Sequence, residues 1–189
     1  VKWGAGESVS LWRTLFPNAD LWEAEFDAEC VKDQTAKGRL NGINVLVGDQ
    51  EDPEVLDGWI HDSSGQFDIV IDDGGHTNCQ IKASFDKLWP EVKEGGLYFI
   101  EDLVVGYDKG FQSNRKCKST WTMSEILADW MEQLLEITFS STRQVYFAQN
   151  LYKSKYPLPD KLAFIHCQKQ ACVLGKNTHD KYEQPKKTN

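Results

Sequence analysis

Long hydrophobic runs are absent from this sequence of 189 residues. The longest apolar stretches, such as Phe67–Ile71 and Leu97–Ile100, are far shorter than the roughly 20 residues that a membrane-spanning helix needs. We therefore expect no membrane contact from the visible chain. Hydrophobic residues still make up 40% of the sequence, which is enough to build a substantial globular core.

Basic residues are also too few to form a broad positive surface. The chain has 21 Lys and Arg against 29 Asp and Glu, for a net charge of −8. Because nucleic-acid binding depends on basic side chains that neutralise phosphates, nucleic acid is not an expected partner.

The five cysteines lack the C-x-x-C spacing of a metal cluster, and their odd number leaves at least one thiol unpaired. This favours a reducing, intracellular (cytoplasmic) location. The alternative stays open, because Cys167 and Cys172 flank a predicted hairpin turn and can pair in an oxidising compartment. The sequence begins at Val1 with neither a methionine nor a signal peptide, so we expect a truncated start, and an upstream targeting or anchor segment is not excluded.

What the sequence does contain is a regular alternation of short β-type runs with segments of helical apolar spacing. This pattern predicts an α/β fold with a mostly parallel sheet and helices on both faces. Asp52-Pro53-Glu54 predicts one helix start, and Thr122-Met123-Ser124-Glu125 is the capping box of another. The predicted strands are Leu21–Phe26, Ile43–Val47, Phe67–Ile71 and Leu97–Ile100, followed by an antiparallel hairpin of Leu162–His166 and Ala171–Leu174.

These elements predict one domain over residues 1–175, with an incomplete N-terminus, and a flexible polar tail over residues 176–189. Leu103–Trp121 is the one long irregular stretch, and long loops in compact domains are usually functional.

Acidic residues lie at the carboxyl ends of the predicted strands, the sheet edge where open α/β sheets bind ligands. Glu25 is the candidate for binding the hydroxyls of a ribose, and Asp27 for capping the next helix. Asp49 and Gln50 can hydrogen-bond a nucleobase, or they can form a polar turn before Asp52.

Two acid pairs follow neighbouring strands, in the stretch FDIVIDDGGH of residues 67–76 and in Glu101-Asp102. Such a cluster repels itself unless a cation lies within it, and Mg²⁺ prefers carboxylate oxygens. His76 could then take a proton from a bound hydroxyl. The alternative is that Asp72 and Asp73 cap the next helix and that His76 lies in its first turn.

With these residues identified, the chain resembles class I S-adenosylmethionine-dependent methyltransferases. Within them it is most similar to the group of macrocin- and mycinamicin-type sugar O-methyltransferases and cephalosporin-hydroxylase-like proteins. The resemblance covers residues 4–103 best. It is carried by GAGESVSLWRTLFPNA, LWEAEFD, NVLVGDQED, FDIVIDDGGHTNCQIKASFDKLWP and GGLYFIEDL, of which the last two are the specific part.

The resemblance implies a seven-stranded Rossmann-like sheet, with the first strand truncated here and an antiparallel hairpin at the C-terminal edge. It also implies S-adenosylmethionine and Mg²⁺ as cofactors and a hydroxylated small molecule or sugar as acceptor. Asp73 and Asp102 would be metal ligands, Glu101 a further ligand and His76 the base. The residues assigned to the S-adenosylmethionine site are Gly4, Gly6, Glu25, Asp49, Gln50 and Asp72.

Two departures from the family pattern support another function. The first strand is missing, and Val104-Val105 stands where relatives often have His-Thr. The alternative is therefore an inactive methyltransferase-like subunit with a structural or partner-binding role, and a homo-oligomer or larger assembly is left open. An iron oxygenase is a weaker interpretation, because only His76 is well placed among the histidines.

Overall fold

The computed structural model of this protein describes residues 8–112, 119–139 and 153–178. Residues up to Gly65 form one unit, and residues from Gln66 onward form a second. The prediction of one domain over residues 1–175 stays a prediction. No helix in these described ranges is long and apolar enough to cross a membrane.

The first unit alternates helices with two parallel strands. The register sets Glu25 opposite Val47, so the two strands end side by side. Its elements are α1 (Val9–Leu15), β1 (Trp22–Glu25), α2 (Ala28–Ala36), β2 (Asn44–Val47) and α3 (Pro53–Ser63).

Local capping explains where α2 and α3 begin. The Asp27 carboxylate accepts hydrogen bonds from the backbone N–H groups of Glu29 and Cys30. Asp52 accepts one from the N–H of Glu54, with Pro53 in the first turn of α3. Both caps are those that the sequence predicts.

The second unit contains a four-stranded sheet in the order β3-β4-β6-β5. The β3–β4 pair is parallel, whereas β6 runs antiparallel to both β4 and β5. Its elements are β3 (Phe67–Asp72), α4 (Asn78–Leu88), β4 (Val92–Ile100), a 3₁₀ turn (Leu103–Tyr107), α5 (Lys109–Gln112), α6 (Met123–Phe139), β5 (Leu162–Gln168) and β6 (Ala171–Lys176).

The described residues thus contain six strands where the family resemblance implies seven. The strand expected before Gly4 lies outside the described residues. A second difference is that β4 begins at Val92, five positions before the predicted Leu97. The ladder with β3 shifts register between Phe67 and Ile69, and Gly95 has a φ of 80°, so the strand passes through an irregularity before it reaches Leu97.

The capping box predicted before α6 is present. The N–H of Thr122 donates to the Glu125 carboxylate at 2.8 Å, and the N–H of Glu125 donates to the Thr122 hydroxyl at 3.2 Å. Two backbone donors at the start of the helix are therefore satisfied reciprocally.

The last strand includes Lys176, the residue at which the sequence predicts the tail to begin. Its ammonium donates to the carbonyls of Trp89, Pro90 and Val92 at 2.8–3.0 Å. Desolvation by burial lowers the pKa of Lys176. These contacts fix the end of β6 to the chain that leaves α4.

A two-residue turn joins β5 to β6, because Gln168 lies opposite Ala171. Cys167 and Cys172 face each other across this hairpin and form a disulfide. Cys79 is also disulfide-bonded, whereas Cys30 has a free thiol. The pairing of Cys167 with Cys172, which the sequence leaves open, is therefore resolved.

The core of the second unit is built around Phe85, which is 2% exposed. Its ring lies 5.4 Å from Trp89, 5.0 Å from Tyr98 and 5.1 Å from Trp130, measured between centroids. Helix α4, strand β4 and helix α6 thus meet at one aromatic cluster, and aromatic side chains dominate core energetics when buried.

We expect Phe85→Ala to lower the free energy of unfolding by about 3–5 kcal/mol, because it removes this ring and leaves a cavity. Denaturant titration followed by tryptophan fluorescence would measure the loss. Phe111→Ala is the matched control, since Phe111 is 44% exposed. Equal losses in the two variants would contradict the assignment of Phe85 to the centre of the core.

Candidate active site

The parallel pairing of β3 with β4 brings the two acid pairs together. Asp72 lies opposite Ile100, and the N–H of Glu101 donates to the carbonyl of Asp72 at 3.0 Å. The residues that follow the two strands, Asp73 and Asp102, consequently leave the sheet at the same edge.

Three side chains converge at this edge. The Nε2 atom of His76 is 3.9 Å from Oδ1 of Asp73 and 3.7 Å from Oδ2 of Asp102. One ligand atom from each of the three residues lies within 4.8 Å of the others. The side chain of His76 is 20% exposed, whereas those of Asp73 and Asp102 are 55% and 49% exposed. The cluster therefore opens to solvent on its acidic side.

The backbone of this cluster has an unusual conformation. His76 has a φ of 55° and Asp102 a φ of 50°, both in the left-handed region although neither is glycine. Such residues cost of order 1–3 kcal/mol each and persist where the surrounding structure over-determines them. Among the residues that the structure describes, the buried Nδ1 of His76 has no hydrogen-bond partner.

Helix α4 is not capped by the acids. Its N-cap is Thr77, whose hydroxyl accepts a hydrogen bond from the N–H of Gln80. His76 precedes this cap and lies outside the first turn. The capping alternative for Asp72 and Asp73 is therefore wrong, because a residue that the sequence pattern did not single out performs that task.

Asp72 and Asp73 have different surroundings. Asp72 is 7% exposed, and its Oδ2 accepts hydrogen bonds from the hydroxyls of Ser84 and Tyr98. Its carboxylate thus joins β3 to α4 and β4. The sequence offers one signal for Tyr98: it precedes Ile100 by two positions and so shares the sheet face of Asp72.

Asn78, two positions after His76, is a buried structural residue that the sequence pattern does not mark. It is 3% exposed, its Nδ2 donates to the carbonyl of Gly106 at 3.0 Å, and its Oδ1 accepts from the N–H of Met123 at 2.9 Å. Its own N–H donates to Oε1 of Gln112. Asn78 therefore fixes the start of α4 to the 3₁₀ turn, α5 and α6. No local pattern marks these partners, since they lie 28–45 residues away.

Asp73 and the neighbouring Glu101 have raised pKa values. Desolvation is the main cause that raises the pKa of Asp73; the charge of Asp102 adds to it and His76 acts in the opposite direction. The pKa of Glu101 is raised by desolvation and then by the charges of Asp73 and Asp102. Glu101 is outside the converging group, so its role as a metal ligand stays a prediction.

A cavity of about 340 Å³ lies beside the segment that follows Asp102. It is bounded by the 3₁₀ turn, α6 and the β5–β6 hairpin. None of its ten lining residues in the described chain is charged; they are Leu103, Val104, Tyr107, Ser124, Leu127, Met131, Cys167, Gln168, Gln170 and Cys172.

The first unit holds three of the residues predicted to bind S-adenosylmethionine. Glu25 lies at the end of β1, where its Oε1 accepts a hydrogen bond from the N–H of Asp27. Asp49 and Gln50 follow β2, and Oδ1 of Asp49 accepts from the N–H of Glu51 at 3.0 Å. Gly4 and Gly6 lie outside the described residues.

These elements have the architecture of a class I Rossmann-like methyltransferase. The structure matches that of MycE methyltransferase from the mycinamycin biosynthetic pathway, solved in complex with Mg and SAH, with a TM-score of 0.65 and 28% sequence identity. The match covers 93% of this chain and 42% of that one. The predicted fold class is therefore confirmed.

Curated proteins confirm the resemblance to sugar O-methyltransferases. The chain is 40% identical over 110 residues to mycinamicin VI 2''-O-methyltransferase of Micromonospora griseorubida, covering 58% of this chain and 26% of that protein. It is 37% identical over 110 residues to demethylmacrocin O-methyltransferase of Streptomyces fradiae, again covering 58% and 26%. The chain thus spans about a quarter of the length of these relatives. No protein-family model matches it.

The raised pKa values of Asp73 and Glu101 predict how stability depends on pH. A carboxyl whose pKa is higher in the folded state than in the unfolded state binds more protons when folded, so its stabilising contribution is lost as pH rises through the folded pKa. We therefore expect Asp73 and Glu101 to contribute less to the unfolding free energy of the cation-free protein as pH rises. The decrease should begin in the ordinary carboxyl range and end above the raised pKa values of the folded state.

Urea titrations at a series of pH values, comparing wild type with Asp73→Asn, would isolate this component. Asp62→Asn is the control, because the side chain of Asp62 is 63% exposed and lies outside the cluster. A wild-type minus Asp73→Asn difference that does not change with pH would contradict the expectation.

Proposed function

We propose that this protein is an S-adenosylmethionine-dependent, Mg²⁺-assisted O-methyltransferase that acts on a hydroxylated small molecule or sugar. The observation that carries the proposal is the convergence of Asp73, His76 and Asp102 at the carboxyl edge of β3 and β4. The fold and the relatives support it, since MycE is a methyltransferase solved with Mg and SAH.

The donor set fits a hard divalent cation. Asp73 and Asp102 would hold it through carboxylate oxygens, as Mg²⁺ prefers, and both side chains are open enough to leave room for water or substrate oxygens. A bound Mg²⁺ would orient the acceptor hydroxyl and favour loss of its proton. Glu101 is the candidate for a further ligand.

His76 is the candidate base. Its Nε2 faces the two carboxylates, at the place where an acceptor hydroxyl would lie, while its Nδ1 is buried. Nε2 would accept the hydroxyl proton, and the neighbouring acids would stabilise the imidazolium that results. The sulfonium of S-adenosylmethionine already activates the methyl group, so the remaining task of the protein is alignment of the nucleophile.

Glu25, Asp49 and Gln50 are proposed to bind the adenosine, with Gly4 and Gly6 forming a close backbone approach. The position of Glu25 at the end of β1, and of Asp49 and Gln50 shortly after the end of the parallel strand β2, supports this assignment. Asp72 is the weakest member of the set, because its buried carboxylate already accepts hydrogen bonds from two hydroxyls.

The uncharged cavity beside Leu103 is proposed to receive part of the acceptor. Its lining favours a neutral molecule with an apolar portion, since burying a charge there would leave it without a partner. A second MycE structure, which matches this chain with a TM-score of 0.65, is a complex with Mg, SAH and mycinamycin VI. This supports a small-molecule acceptor.

An intracellular location is part of the proposal, and it has a consequence for the Cys167–Cys172 pair. Disulfides persist in oxidising compartments, whereas in the cytosol cysteines are kept reduced as thiols. In the cytoplasm this pair would therefore be present largely as two thiols.

We expect His76→Ala to lower kcat by about 10²–10⁴-fold while leaving S-adenosylmethionine affinity nearly unchanged, because a general base contributes to turnover and not to cofactor binding. Release of S-adenosylhomocysteine with a panel of sugars and phenols measures turnover, and calorimetric titration measures affinity. His61→Ala is the matched control, since His61 is 87% exposed. Loss of both activity and cofactor affinity in His76→Ala would assign His76 a structural role.

We expect Asp102→Asn to weaken binding of Mn²⁺, used as a spectroscopic substitute for Mg²⁺, by at least about tenfold, because one anionic oxygen ligand is lost. Electron paramagnetic resonance of unbound Mn²⁺ gives the affinity. The surface variant Asp62→Asn should bind as wild type does. Unchanged binding in Asp102→Asn would exclude this residue as a ligand.

A further inference from the structure

We propose that the Cys167–Cys172 disulfide is a positioning element of the active site. In this proposal it holds the segment that carries Asp102, so that cation affinity depends on whether the pair is oxidised or reduced. The cation part rests on the metal site proposed above, whereas the backbone part does not. All the residues involved belong to the second unit.

The disulfide lies on the strand that pairs with the end of β4, which leads to the proposed metal ligand Asp102. Cys172 lies on β6 opposite Ile100 on β4, two positions before Asp102. On its other side Cys172 lies opposite Cys167 on β5. The cross-link therefore joins the outer strand to the strand that pairs with the end of β4.

The turn of the same hairpin makes a second contact with this segment. The carbonyl of Gln170 accepts a hydrogen bond from the N–H of Leu103 at 2.9 Å. The hairpin thus holds the chain on both sides of Asp102, through the ladder at Ile100 and through the turn carbonyl at Leu103.

Asp102 needs such support because its φ of 50° is unfavourable for a residue with a side chain. Gln170, which provides the support, is itself left-handed, with a φ of 70°. Two-residue turns prefer Asn or Gly at positions with positive φ, and this turn is Lys169-Gln170. The cross-link closes the hairpin next to an unfavourable turn and so stabilises the position of the Gln170 carbonyl.

The two cysteines differ in exposure, which favours attack by a reductant at Cys167. Cys167 is exposed, whereas Cys172 is 6% exposed. The thiolate of a dithiol reductant would attack the sulfur of Cys167 and release Cys172 as a thiolate, which takes up a proton. The second thiol of the reductant then displaces Cys167 and forms a cyclic disulfide. Two electrons pass to the protein, which ends with two thiols.

The test compares oxidised protein, dithiol-reduced protein and the variant Cys167→Ala/Cys172→Ala. The first measurement is amide hydrogen exchange at Leu103 without any cation. We expect exchange about tenfold faster in the reduced protein and in the variant, because the Gln170 acceptor is no longer fixed. The second is Mn²⁺ affinity, expected to weaken by about three- to tenfold in both.

The double variant is necessary because a dithiol also reduces the disulfide of Cys79. A variant that keeps the Leu103 protection and Mn²⁺ affinity of oxidised wild type would overturn the proposal, even if reduced wild type loses them. Cys167→Val/Cys172→Val, which keeps an apolar cross-strand pair, should show the same losses with a native circular dichroism spectrum, and this separates positioning from unfolding.

The two proposals fail differently. If oxidised wild type binds no Mn²⁺ but the Leu103 amide still loses protection in the variant, the metal site is wrong and the positioning role of the disulfide stands. If Mn²⁺ binds equally in all forms and Leu103 stays protected, the metal site stands and the positioning role is wrong.

Discussion

The parallel register that sets Asp72 opposite Ile100 is the constraint on which the site depends. It places the ends of β3 and β4 side by side, so the residues after each strand share one edge. A slip of one residue would turn Asp72 out of the interior and Asp73 into it, because successive side chains of a strand point to opposite faces. The aromatic cluster around Phe85 resists that slip, since Tyr98 on β4 packs against it.

The two adjacent aspartates have different surroundings, one inside the fold and one at the candidate site. Asp72 is the last residue of β3, and its buried carboxylate is stabilised by the hydroxyls of Ser84 and Tyr98. A buried carboxylate without such donors would be strongly unfavourable. Asp73 follows after the strand has ended and is half exposed. The fixed position of Asp72 thus determines where the candidate metal ligand Asp73 lies.

Features that depend on neighbours in sequence were predictable, and features that depend on distant partners were not. Asp27, Asp52 and the Thr122/Glu125 capping box follow from residue types within three positions of each helix start. The edge location of Asp73 and Asp102 follows from strand ends. The network of Asn78, by contrast, joins residues up to 45 positions apart. The cap at Thr77 was missed because two stronger acidic candidates precede it.

The energetics of the cluster argue against a purely structural role. His76 and Asp102 occupy left-handed conformations that cost of order 1–3 kcal/mol each, and the pKa values of Asp73 and Glu101 are raised because their charged forms are unfavourable there. A scaffold gains nothing from these costs, since Thr77 already caps α4. A cation among the carboxylates would reverse the electrostatic effect on these pKa values, because an opposite charge lowers the pKa of an acid. Convergent ligand atoms, left-handed backbone at His76 and Asp102 and raised pKa values of Asp73 and Glu101 thus occur together at this edge, and the proposed cation site would account for their coincidence.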